Sequence, residues 1–121
     1  MATPLDPNPL KDAPGSQDEI AQTISKLDIV VQALLADLPS AKPWQRQLRL
    51  QLSQAARCVQ VLRMSIVMER SKEDICEAAR RVQQALQVAN ASIATGRADM
   101  ETKTIVNIAM AMSQRIRKAL L

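Results

Sequence analysis

The chain has 121 residues and a formal net charge of +4, with two glycines, one tryptophan and no phenylalanine, tyrosine or histidine. That length suits one domain, able to bury a core without disulfides or metals. The missing strand-favouring aromatics and turn glycines exclude all-β and α/β classes, and the abundant Ala, Leu, Gln, Arg and Met favour helix, so the fold is expected to be all-α.

Residues 1–15 hold Pro4, Pro7, Pro9 and Pro14 and only two large apolar residues beyond Met1, Leu5 and Leu10. Such a segment has little to bury and is expected to be a disordered, Pro-rich tail. Its one functional alternative is a short docking peptide that uses Leu5 and Leu10 in an extended conformation.

Helix one is expected over about 16–38. Ser16 and Glu19 form a capping-box pattern, and Ile20, Ile24, Leu27, Val31, Leu34 and Leu38 follow at alternating steps of four and three. Pro39 ends this helix, and the short link PSAKP forces helix two back alongside it. Helix two, about 43–70, opens with Pro43 in its first turn and runs its seam through Leu48, Leu52, Ala55, Val59, Leu62 and Ile66. Helix three, about 72–95, has Ile75, Ala79, Val82, Leu86, Ala89 and Ile93, with Gly96 placed as its C-terminal cap. Helix four, about 99–120, follows the N-cap candidate Asp99 and is expected to turn Ile105, Ile108, Ala109, Met112, Ile116 and Leu120 inward.

The boundary between helices two and three has neither Gly nor Pro. From Ile66 to Ile75 the apolar stripe rotates by about 180° at ~100° per residue, so a continuous rod would split its two halves between opposite sides. A turn near Arg70–Ser71, with Ser71 capping helix three and Asp74 at the reciprocal position, brings both stripes onto one core. The alternative is a long helix whose halves are shared between two chains. The resulting architecture is an antiparallel up-and-down four-helix bundle, about 35 Å long.

Without histidine the chain lacks the commonest general base, the Ser-His-Asp systems, most transition-metal sites and phosphotransfer chemistry. Gly15 and Gly96 are isolated and form no phosphate loop. The acidic pairs Asp18–Glu19 and Glu73–Asp74 fall in first turns, where capping and the helix dipole account for them. Cys58 and Cys76 lie about 9 Å apart along a hairpin, too far for an unstrained disulfide, and suit the core flanks as small hydrophobes. The expectation is therefore a non-enzyme with no cofactor, no metal and no small-molecule substrate. Two cysteines, no export-type leader and no apolar run of ~20 residues point to a cytoplasmic protein that does not enter a membrane.

Charge is uneven. Segment 16–38 sets Asp18, Glu19, Asp28 and Asp37 against Lys26, whereas 42–70 sets six basic residues against Glu69. Neighbouring helices of opposite sign offset part of this, and the remainder is a moderately basic surface.

Helix two carries more apolar residues than one core needs. Leu50, Val61, Met64 and Met68 lie about 140–200° from its seam and, with Gln54 and Arg57, form a second heptad ladder. A helix apolar on two faces is normally buried on both. The six residues are therefore the candidate partner-binding site: flexible methionines suit adaptable surfaces, and an arginine amid apolar anchors is a common interface arrangement. The simplest partner is a second copy in a symmetric homodimer; another is a heterologous helix in the same groove. A nucleic-acid-binding regulator is the alternative, since Arg46, Arg49, Arg57 and Arg63 share helix two and Arg80, Arg81, Arg97, Arg115, Arg117 and Lys118 lie elsewhere. The arginines of helix two form no stripe, and Trp44 is the sole residue able to stack on a base.

Overall fold

A computed structural model describes residues 17–94 and 98–120, with side chains from Glu19 onward. The expected tail, the Ser16 cap and the Gly96 cap lie outside the described residues. Four α-helices follow one another, with no strand among the described residues: α1 (Gln17–Asp37), α2 (Pro43–Val67), α3 (Lys72–Ala94) and α4 (Met100–Leu120). Each packs on the next and α1 closes onto α4, while the backbones of the diagonal pairs α1–α3 and α2–α4 stay farther apart. This is the square cross-section of an antiparallel up-and-down four-helix bundle.

The α1 seam is buried from Ile20 to Leu38, as its spacing predicts. In α2 and α3 the seams are buried through Leu48–Leu62 and Ala79–Ile93, while Ile66 and Ile75 beside the turn are only partly covered. Small residues let two backbones approach, and α2 and α3 pack most extensively of all pairs, around Ala55, Ala78, Ala79 and Ala89.

Two expectations need correction. The stripe of α4 is rotated by about one position: Val106, Ala109, Ser113 and Ile116 are buried, Ile105, Met112 and Leu120 lie on the flank, and Ile108 is 47% exposed. The four-three spacing runs through small residues here, and Ser113 tolerates burial because its hydroxyl donates to the Met110 carbonyl at 2.6 Å. Helix two also ends at Val67, before the expected 70, and the link over 68–71 contains the expected turn at Arg70–Ser71. Glu69 takes a left-handed φ of 52°, and the amides of Glu69 and Arg70 donate to the carbonyls of Ile66 and Ser65 at 3.0 and 2.9 Å. This is a Schellman motif closing α2 after Val67, built without glycine. Ser71 then caps α3 as expected, accepting from the Asp74 amide at 3.1 Å. The turn makes α2 and α3 a hairpin within one chain rather than halves of a shared rod.

The end of α1 and the starts of α2 and α4 are also closed by local chemistry. Gln45, buried in the first turn of α2, accepts the Lys42 amide at 2.9 Å. Arg49 donates to the carbonyls of Leu35 and Leu38 at the end of α1, and Arg46 donates to those of Ser40 and Ala41 in the link. At the start of α4 the Asp99 carboxylate accepts from both the amide and the hydroxyl of Thr102, which lowers its pKa.

Candidate interaction face

The α2 seam is set by Leu48, Leu52, Ala55, Val59 and Leu62, which point into the bundle. That fixes the opposite face by helical geometry alone, since residues at 50, 54, 57, 61, 64 and 68 follow the same heptad half a turn away. Leu50 is 74% exposed, Val61, Met64 and Met68 are each more than half exposed, and Gln54 and Arg57 are exposed between them. All six thus share one outward strip, about 27 Å long from Leu50 to Met68 at 1.5 Å per residue. No described element covers it.

The strip is not confined to α2. Near the turn it widens into a groove of about 500 Å³ between α2 and α3, where Val61, Met64 and Met68 face Ala78, Glu77 and Arg81. The hydrogen bond from the Ser92 hydroxyl to the Gln51 side chain, 2.8 Å, fixes the register of the two helices farther along. Val88, half exposed, lies one heptad beyond Arg81 on the same row of α3 and falls level with Gln54. It extends the apolar surface sideways. Periodicity taken one helix at a time misses Val88, because only the α2–α3 register brings it to this face; Val67, 73% exposed at the edge of the strip, is also outside the ladder.

Three of the four arginines of α2 are already engaged. Arg46 and Arg49 hold the carbonyls described above, and Arg63 pairs with Asp28 of α1 at 3.0 Å. Asp28 also accepts from Gln60 at 3.2 Å, so part of the opposite charge of α1 and α2 is spent between them. Arg57 alone has no hydrogen-bond or ion-pair partner among the described residues. On the rim, Glu77 accepts from both Arg80 and Arg81, at 2.7 and 3.1 Å. Those two guanidiniums hold its carboxyl down at about 2.

The cysteines are both free thiols and half-buried. Cys76 donates weakly to the Leu120 carbonyl at 3.6 Å, and burial pushes the Cys58 thiol up against an opposing pull from Arg81. A raised thiol pKa works against nucleophilic use. Among the described residues, no group of three or more Cys, Asp and Glu side chains is gathered to hold a metal ion, and no helix is long and apolar enough to cross a membrane.

Compared with known proteins, the chain matches no family model, no curated protein and no solved structure.

Proposed function

We propose that the chain is a non-catalytic protein–protein interaction module, a small adaptor, chaperone-like or regulatory protein that works through the outer face of α2. The observation that carries this reading is the row Leu50, Val61, Met64 and Met68, exposed together along one strip. Scattered surface apolar residues are normal, whereas Val61, Met64 and Met68 adjoin one another beside a groove with polar groups at its rim, the pattern of a binding surface, and Leu50 continues their row beyond Gln54 and Arg57. Covering the rest of these side chains is worth about 1 kcal/mol each, and comparable anchors on a partner double the sum. That total is of the order needed to offset the cost of association. Free thiols on neighbouring helices fit a reducing compartment such as the cytoplasm.

Nucleic-acid binding has less support. Arg46, Arg49 and Arg63 are occupied within the bundle, and Arg80 and Arg81 share Glu77, so few guanidiniums are left to meet phosphates.

Met64→Glu places a charge in the strip without touching the core. Light scattering and co-purification from the native cells should show a bound species, second copy or other protein, with the wild type and its loss in Met64→Glu, while both melt at the same temperature. Identical masses and identical co-purified material for the two would contradict the proposal.

A further inference from the structure

The outer strip has one sign of charge. Across Pro43–Val67, α2 contains four arginines and no acidic residue. Arg57 sits at the middle of the strip, between Leu50 and Val61, with no partner among the described residues. Around the groove, Asp74 and Glu77 balance Arg70 and Arg81, so that Arg57 leaves the face with one net positive charge. Apolar anchors flank a lone guanidinium that would need a carboxylate once water is excluded.

A second copy meets this requirement badly. In a two-fold antiparallel docking with full overlap, Leu50 lies against the partner's Met68 and the midpoint falls at residue 59. The two Arg57 side chains then stand about 6 Å apart along the axis, with no carboxylate on either α2. A parallel docking sets them directly opposite each other. Like charges brought together in a desolvated interface cost several kcal/mol.

Resting on the reading of α2 as an interaction face, we infer that its occupant is an acidic amphipathic helix of a different protein, laid along the α2–α3 groove. Its apolar side chains, at helical spacing, insert among Leu50, Val61, Met64, Met68 and Val88, and a carboxylate near its middle pairs with Arg57. A strip of ~27 Å takes a helix of about 18 residues.

Two synthetic helices of about 18 residues test the assignment. Both carry Leu at heptad positions a and d; one has Glu at e and g, the other Lys. Titrated into the ¹⁵N-labelled full chain, the Glu peptide should shift the amides of Val61, Met64, Met68 and Val88 and bind about tenfold tighter than the Lys peptide, the scale of one interfacial charge pair. Arg57→Glu should reverse that preference, Arg57→Gln should flatten it, and circular dichroism should show both variants folded. Equal binding of both peptides, lost in Met64→Glu but unchanged in Arg57→Glu, would overturn the acidic partner and leave the interaction face standing. A dimer of the chain dissociated by Met64→Glu would do the same by assigning the face to a second copy. Binding of neither peptide, or shifts confined to α1 and α4, would overturn the inference; a monomeric wild type with the same co-purified material as Met64→Glu would then remove the interaction face as well.

Discussion

Glu69 adopts a backbone conformation that glycine takes without cost, at the step where α2 hands over to α3. For an L-residue with a Cβ, the left-handed region costs roughly 1–2 kcal/mol. The two Schellman hydrogen bonds and the packed α2–α3 hairpin keep it there. Glu69→Gly should therefore stabilise the protein by about 1 kcal/mol and raise Tm by about 4 °C, readable in a thermal melt. An unchanged or lower Tm would mean that the Glu69 conformation carries no strain. The phase of the apolar stripes places this turn, but its left-handed cap is not legible in the sequence, because nothing in the residue type announces that a glutamate will serve there. Ser71 and Asp74, by contrast, carry a capping signature and occupy the places it indicates. Glu77 offers a second test at this scale. Its carboxyl is held near 2 rather than the ordinary 4.5 by Arg80 and Arg81. For a depressed carboxylate the contribution to stability is complete above the ordinary value and is lost as pH falls through the folded one, so the window runs from about 4.5 down to about 2. Carbon-detected NMR titration should place the Glu77 midpoint near the bottom of that window and return it toward 4.5 in Arg80→Gln/Arg81→Gln. A normal midpoint in the wild type would show that the two ion pairs do not persist in solution.

At the scale of the element, α1, α2 and α3 obey a simple rule: in each, one ladder of apolar residues, large or small, recurs at steps of four and three and lines the core. In α4 size and spacing disagree. Ile105, Ile108 and Met112 are the bulkier residues, yet the regular ladder passes through Val106, Ala109, Ser113 and Ile116, and the ladder wins. Ser113 at the seam meets its hydrogen-bonding need within its own helix, which removes the penalty that would have argued against its burial. The two registers make opposite predictions. Ile108→Gln should change stability by no more than about 0.5 kcal/mol, since its side chain is half in water. Ser113→Leu should cost about 1–3 kcal/mol by forcing extra methylenes into a closed seam. Denaturant titration of the two variants decides it, and a large loss for Ile108→Gln with none for Ser113→Leu would restore the rejected phase. The candidate face on α2 was legible for a related reason. Its six positions form a complete ladder of their own within one helix, whereas Val88 belongs to that face only through the pairing of α2 with α3. Periodicity within one helix carries no information about the register between two.

At the scale of the molecule, the bundle distributes its apolar surface unequally. The α2–α3 side presents Leu50, Val61, Met64, Met68 and Val88 around a groove, while the α1–α4 side presents Ile29, Met100 and Ile108. Charge follows a similar division. Asp28 and Glu19 of α1 are drawn on by Arg63 and Arg115 of neighbouring helices, and α2 keeps Arg57 without a partner among the described residues. Under the proposed function, the bundle core is the scaffold and the mixed apolar and basic strip is the face that it presents. The most direct measurement is a photo-crosslinking scan in the native cells, with a photoreactive residue placed in turn at Leu50, Arg57, Val61, Met64 and Met68, and at exposed Gln32, Gln87 and Gln114 as controls. Discrete adducts of one size are expected at the α2 positions and none at the controls. Adducts spread evenly over all eight positions, or found only at the controls, would contradict the proposed function.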